Sequence, residues 1–280
     1  MKQLVIFLIA IITIMMASCS SNNGSNESND AIESEQAVYS PDLPAKAEAG
    51  DVRAQISLGR CYEDGVGVNQ DYSEAVKWYT MAANQGDKLA QCNLGTCYAF
   101  GRGVAQDFSE ATKWFIKSAE QGYARAQYNL GVAYHDGTGV SQNYSEAVNW
   151  FTKAAEQGYI EAQYNLGICY EKGRGVSQNL SEAMTWFTMS ADQNYAPAQG
   201  KLGYYYLTGE GVGQNYSEAV NWFTRAAEQG YAEAQYNLGF CYLNGYGVTQ
   251  DYTEAETWIR RAAEQGHPIA IETLQQFNGN

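Results

Sequence analysis

All six tryptophans of the chain lie thirty-six residues apart. They are Trp78, Trp114, Trp150, Trp186, Trp222 and Trp258. Six leucines follow the same period, each with Gly directly after it and Tyr four residues later. They are Leu58, Leu94, Leu130, Leu166, Leu202 and Leu238. A fixed period of this length predicts tandem structural units that stack on their neighbours, because no single unit can bury its own apolar face.

The first half of each unit has the pattern of a helix. In the third unit, Ala126 and Leu130 recur at helical spacing, and Gly137 follows where a helix end favours a left-handed residue. Gly131 falls within this helix, where Gly costs roughly 0.5 to 1 kcal/mol relative to Ala. We therefore expect another helix to approach closely at Gly131.

The second half of each unit predicts another helix after a short Gly-Val loop. Asn143 stands three residues before Glu146, the spacing of a capping box in which Asn accepts from the backbone and Glu reaches back. The helix is predicted to bury Ala147, Trp150, Phe151 and Ala154, among which Trp150 has the largest side chain. Gly158 ends the helix, and Asn194 takes that place once, since Asn also tolerates the left-handed conformation.

Six such units occupy residues 51–266, and the remaining residues, 267–280, repeat only the first half of a unit. Gln275 stands there in place of the mid-helix Gly, and no Trp follows. This predicts an all-α solenoid of six 36-residue helix-pair repeats, closed by a C-terminal capping helix and tail.

Residues 1–18 have the features of a bacterial lipoprotein signal peptide. A single Lys2 precedes an apolar run from 4 to 16, and two small residues then precede Cys19. This arrangement resembles the lipobox, which implies that Cys19 is lipidated and becomes the mature N-terminus. The alternative is ordinary signal cleavage beside an incidental cysteine.

Residues 19–50 are predicted to form a flexible tether and N-terminal lead-in, because they contain little to bury up to about residue 36. The alternative is a simple disordered N-terminus. The net charge of -14 argues against binding to nucleic acid or to anionic lipid, since both need clustered Lys and Arg. The only membrane contact that we expect is the N-terminal lipid.

The units resemble the Sel-1-like repeat family, relatives of the tetratricopeptide repeats. The pattern A-Q-x-x-L-G-x-x-Y-x-x-G-x-G-V followed by S-E-A-x-x-W-F-x-x-A-A-E-Q-G is complete from Ala126 to Gly158. The resemblance implies a right-handed α-solenoid and a non-catalytic adaptor with a protein or peptide partner. Together with Cys19, it implies a lipid-anchored protein of the bacterial cell envelope.

If tetratricopeptide geometry carries over, the first helix of each repeat lines a concave face that binds the partner. Ten predicted contact residues are Tyr128, Val132, His135, Tyr164, Ile168, Tyr204, Leu207, Tyr236, Phe240 and Leu243. A neighbouring row of amides suited to a peptide backbone is Asn129, Asn165 and Asn237. The alternatives are packing between repeats for the first set and local hydrogen bonding for the second.

The sequence offers few groups for catalysis, and no catalytic residue, metal site or cofactor is predicted. His135 and His267 are its only histidines, and no recognised hydrolase or nucleotide motif occurs. Four cysteines share one repeat position that suits a buried small residue, namely Cys61, Cys97, Cys169 and Cys241. A Cys-rich branch of the resembled family is associated with β-lactam binding or hydrolysis, so an envelope hydrolase or ligand-binding protein is the alternative function.

Overall fold

The computed structural model describes residues 37–278, and every regular element in that range is a helix. The fourteen helices are α1 Leu43–Glu48, α2 Val52–Asp64, α3 Tyr72–Asn84, α4 Lys88–Phe100, α5 Phe108–Glu120, α6 Ala124–Asp136, α7 Tyr144–Glu156, α8 Ile160–Lys172, α9 Leu180–Asp192, α10 Ala196–Thr208, α11 Tyr216–Glu228, α12 Ala232–Asn244, α13 Tyr252–Glu264 and α14 Pro268–Asn278. The predicted all-α fold of tandem helix pairs followed by a C-terminal helix is confirmed. Cys19 and the predicted signal peptide lie outside the described residues.

The chain forms two compact units, which divide within α3 between Trp78 and Tyr79. In the first unit, Leu43 and Ala47 of α1 pack against Leu58 of α2. These two α1 residues lie one period before Tyr79 and Ala83, so α1 corresponds to the end of a second helix. The expected lead-in before residue 51 therefore contains a six-residue helix that corresponds to the end of a repeat.

The second unit is a regular series in which each even-numbered helix packs against the odd-numbered helix that follows it. The mid-helix glycines make this packing possible. A Cβ atom built at Gly131 would lie 2.5 Å from Cδ1 of Phe151, and one at Gly167 would lie 2.6 Å from Cε1 of Phe187. The predicted close approach at these glycines is confirmed.

The centre of each repeat core is the residue after the tryptophan. Phe151, Phe187 and Phe223 are at most 2% exposed. Trp150 is only partly buried, and the ammonium of Lys153 lies 3.9 Å from the centre of its ring. The predicted burial of Ala147, Phe151 and Ala154 is confirmed. The prediction that Trp150 is buried with them is wrong, because Phe151 fills the space beside Gly131 and Trp150 lies at the edge of the core.

The helix ends follow the predicted backbone conformations. Gly137 ends α6 with φ +72°, and Asn194 has φ +67° in the position that Gly holds elsewhere. Asn143 caps α7 by accepting from the N–H of Glu146 at 3.2 Å. In a capping box, the Glu146 side chain would accept a hydrogen bond from the N–H of Asn143. Here that N–H donates instead to the Tyr134 carbonyl, at 2.8 Å.

Glutamine side chains connect successive repeats of the second unit. Nε2 of Gln157, just after α7, donates to Oε1 of Gln127 at 2.7 Å, and Gln127 donates to the Ala119 carbonyl at the end of α5 at 3.2 Å. Gln127 is buried, so its amide needs these partners. The same glutamine pair recurs as Gln121 with Gln91, Gln193 with Gln163, Gln229 with Gln199 and Gln265 with Gln235.

The C-terminal helix α14 packs on α13 and closes the series. Ala270 is fully buried, and Leu274 packs against the same cluster. We call the paired glutamines and the alanine carbonyls that they bind the glutamine ladder. Ile271 lies thirty-six residues after Gln235 and is exposed, so the ladder ends before α14. Among residues 37–278, no helix has the length and apolar character needed to cross a membrane.

Candidate partner-binding surface

The predicted contact residues lie on α6, α8, α10 and α12, and their exposure varies widely. Tyr128 is 1% exposed, with its ring centre 5.1 Å from Tyr159 and 6.0 Å from Phe151. Asn129 is also buried. Neither side chain offers an accessible surface in this structure.

Several other members of the stripe are half-buried against the core of their own or the next repeat. Val132 packs on the cluster around Phe151, and Ile168 packs on the cluster around Phe187. Tyr164 lies 5.6 Å from Phe187 and meets the Tyr195 ring edge-on at 5.4 Å, between ring centres. Packing within and between repeats, the alternative to partner binding, therefore explains why these three side chains are largely buried.

The accessible part of the stripe lies on α10 and α12, and we call Tyr204, Leu207, Phe240 and Leu243 the α10–α12 face. Tyr204 is 45% exposed, whereas the other three are half-buried and Leu207 packs on the cluster around Phe223. Tyr204 and Phe240 share one repeat position, and their helices contact each other directly. The face therefore combines apolar and aromatic residues on neighbouring helices, and Tyr204 is its most exposed member.

Tyr236 belongs to the end of the series rather than to this face. Its ring is stacked on His267 with centres 5.0 Å apart and an angle of 17°. His267 in turn accepts a hydrogen bond at Nδ1 from the N–H of Ala270, at 3.2 Å. Tyr236 and His267 thus help to seat α14.

The predicted row of asparagines makes local contacts. The amide of Asn165 donates to the Tyr128 hydroxyl at 3.5 Å, and that of Asn129 lies 3.9 Å from Sγ of Cys92. Asn237 is half-buried. Local hydrogen bonding, the alternative to peptide recognition, thus describes Asn129 and Asn165.

Repeat 5 replaces the amide of this row with Lys201, which pairs with a carboxylate of repeat 4. Nζ of Lys201 lies 3.0 Å from Oε2 of Glu171, and Nζ of Lys172 lies 2.7 Å from Oε1. Burial alone would raise the pKa of Glu171, but the two ammonium groups outweigh it and hold the pKa below its ordinary value. Sequence reasoning missed this cluster, although Lys201 and Tyr205 both break the repeat pattern.

His135 faces the loop of the following repeat. Its Nδ1 lies 2.6 Å from Oδ1 of Asp136, and Nη1 of Arg174 lies 3.4 Å from Nε2. The Tyr144 ring meets the imidazole edge-on at 5.1 Å. These contacts join repeats 3 and 4, and His135 is separate from the α10–α12 face.

The shared cysteine position is a core position, as predicted. Cys61, Cys169 and Cys241 are buried free thiols. Burial raises the pKa of Cys169 to about 11 and that of Cys241 to about 12, so both stay protonated and are poor nucleophiles at neutral pH. Within residues 37–278, no group of His, Cys, Asp and Glu side chains is arranged to hold a metal ion.

Comparison with known proteins identifies the repeat. The Sel1 repeat profile matches residues 52–87, 88–123, 124–159, 160–195, 196–231 and 232–267. A crystal structure of a protective antigen of uropathogenic Escherichia coli, with an SLR fold, is 39% identical with a TM-score of 0.81. The match covers 85% of this chain but only 51% of the antigen. A Sel1 repeat protein from Oxalobacter formigenes is 36% identical with a TM-score of 0.73, covering 78% and 89% of the two chains. No curated protein matches.

Proposed function

Because the chain belongs to the Sel1 repeat family, whose members are generally protein-interaction scaffolds, we propose that it is a non-catalytic scaffold that binds a protein or peptide through the α10–α12 face. The observation that carries this proposal is the exposure of Tyr204 beside Phe240 on adjoining helices. An exposed tyrosine with a second aromatic residue at the equivalent position of the next repeat is the kind of anchor on which binding energy concentrates at protein interfaces.

The chemistry of the face favours a partner segment with apolar side chains. Leu207 and Leu243 extend the apolar surface along the two helices, and the Tyr204 hydroxyl offers a hydrogen bond at its edge. Ring contacts with Tyr205 at 5.9 Å and Tyr246 at 5.8 Å hold Tyr204 and Phe240 in place. Side chains that are ordered before binding lose less entropy when a partner docks.

We further propose that the scaffold works at the bacterial cell envelope, anchored by lipid on Cys19. The apolar run before Cys19 supports this location. The similar protein in uropathogenic Escherichia coli is a protective antigen, and a protein of this kind exposed on the cell would be accessible to antibodies. Labelling cells with a clickable palmitate analogue tests the anchor, because wild type should be labelled and Cys19→Ser should not.

The binding face is tested by crosslinking and pull-down from envelope extracts with Tyr204→Ala and Phe240→Ala. Both variants should lose the same partner by at least tenfold while keeping wild-type circular dichroism. Tyr252→Ala is the matched control, because Tyr252 is a 60% exposed tyrosine on α13 and is not one of the four residues of the face. If both face variants retain every partner, the face is wrong. If purified protein turns over a chromogenic β-lactam, the non-catalytic assignment is wrong.

A further inference from the structure

A shallow open groove of about 410 Å³ follows one side of α9. It is lined by Ser181, Met184, Thr185, Thr188, Met189 and Gly211. The first five of these recur at the spacing of a single helix stripe, and Gly211 comes from the loop of the following repeat. None of the lining side chains is charged, and Met189 is 45% exposed.

The groove exists because one loop stands further from the helix before it than its counterparts do. At three other junctions, the matching glycine lies so close to the first carbonyl of a second helix that a Cβ atom would overlap that oxygen. These glycines are Gly139, Gly175 and Gly247. A Cβ atom at Gly211 would meet only the Leu180 side chain, at 3.1 Å. Space therefore opens beside α9.

The groove also lacks a cation that most repeats place beside it. Among the second helices, α9 alone contains no Lys or Arg. In four other repeats, a basic side chain stands at the position of Met189 and lies 3.8 to 4.9 Å from the centre of the repeat Trp ring. These residues are Lys117, Lys153, Arg225 and Arg261.

Three acidic residues lie close in sequence to the uncharged lining residues. Asp192 lies one helical turn beyond Thr188 on the same side of α9, Glu182 follows Ser181, and Glu210 precedes Gly211. All three are exposed. Methionine side chains adapt their shape to varied apolar partners, and an acidic rim attracts and orients basic groups.

We propose that the α9 groove docks a basic amphipathic helix of a protein partner. The apolar side of that helix lies on Met184 and Met189, and its Lys or Arg side chains reach Glu182, Asp192 and Glu210. A Lys or Arg side chain of the partner thereby supplies the positive charge that an intramolecular Lys or Arg supplies in four other repeats. This surface is separate from the α10–α12 face and does not depend on it.

The test follows the methyl signals of the purified full chain labelled with 13C at methionine methyl groups. The chain has only six methionines, so Met184 and Met189 can be assigned by substitution. The probe is an 18-residue helical peptide of Leu and Lys, compared with a peptide of the same pattern in Leu and Glu. The Leu/Lys peptide should shift both groove signals at micromolar concentration, and the Leu/Glu peptide should bind at least tenfold more weakly.

Met189→Lys introduces the residue that repeats 2 and 3 have at this position, and it should reduce binding of the Leu/Lys peptide at least tenfold. Met81→Lys is the matched control, because Met81 holds the same position in repeat 1 and the charge change is identical. The control should bind as wild type does, as should Tyr204→Ala. The proposal is overturned if the groove methyl signals do not move, if the two lysine variants weaken binding equally, or if the two peptides bind alike.

Discussion

The junction between repeats 3 and 4 and the junction between repeats 4 and 5 are each built around a buried Phe, but Tyr205 replaces Cys169 in the second core and the surroundings differ. At the first, Asn165 donates to Tyr128, and Gly175 lies tightly against Tyr144. At the second, Lys201 pairs with Glu171, and the Gly211 loop leaves room beside α9. Residues that keep the period hold the helices together. The residues that depart from it create the surfaces that distinguish this chain from a uniform array.

The largest expected effect tests whether the buried Phe contributes equally to stability at both junctions. Phe151→Ala and Phe187→Ala each remove a fully buried ring that lies against a mid-helix Gly, and each should reduce the free energy of unfolding by about 3 to 5 kcal/mol. Trp150→Ala should cost less, because that side chain is only partly buried. Urea unfolding followed by circular dichroism measures all three. A large difference between the two Phe variants would mean that Tyr205, in place of Cys169, changes how much the neighbouring Phe contributes.

A smaller effect is expected at the ion pair that marks the second junction. Lys201→Asn introduces the residue of most other repeats and should cost about 1 kcal/mol, since Lys201 is partly exposed and Lys172 still pairs with Glu171. The lowered pKa of Glu171 means that the pair stabilises the fold above about pH 4.3 and is lost as the pH falls through the folded pKa.

The difference in unfolding free energy between wild type and Lys201→Asn should therefore shrink below about pH 4. Urea titrations at pH 7 and pH 3.5 measure this change. A difference that stays constant across this pH range would show that Lys201 acts through packing rather than through its charge.

The smallest effect concerns the cation that repeat 3 has and repeat 4 lacks. Lys153→Met should cost about 0.5 kcal/mol, because the Lys153 ammonium lies 3.9 Å from the centre of the Trp150 ring. Met189→Lys should gain a similar amount by stacking on Trp186. Thermal unfolding of both variants measures the pair of changes. If both substitutions changed the stability in the same direction, Lys153 and Met189 would not occupy equivalent sites beside the repeat Trp.

The repeat architecture could be predicted from the sequence because its requirements are local. Gly137 and Asn194 take the left-handed conformation expected at their repeat positions, and Gly131 leaves the space that Phe151 fills. Exposure could not be predicted in the same way. Tyr128 and Tyr204 belong to one predicted stripe, yet one is buried and the other is 45% exposed.

The short helix α1 near the start of the described residues was missed for a different reason. It carries no Trp and no Leu-Gly pair, which are the strongest marks of the period. Ala47 and Gly50 do keep the repeat spacing, and they were the available signal. The Lys201 and Glu171 pair likewise depends on two repeats meeting, which a pattern within one repeat does not contain.

The glutamine ladder has a consequence for how such a gene can change in length. Each step uses the same two side chains and one alanine carbonyl, taken from one repeat and the repeat before it. Unequal recombination that deletes or duplicates thirty-six codons would therefore leave each remaining glutamine of the ladder with the same kinds of hydrogen-bond partner as before. The array can gain or lose whole repeats without a compensating substitution, provided that the Ile271 end, which stops the series, is kept.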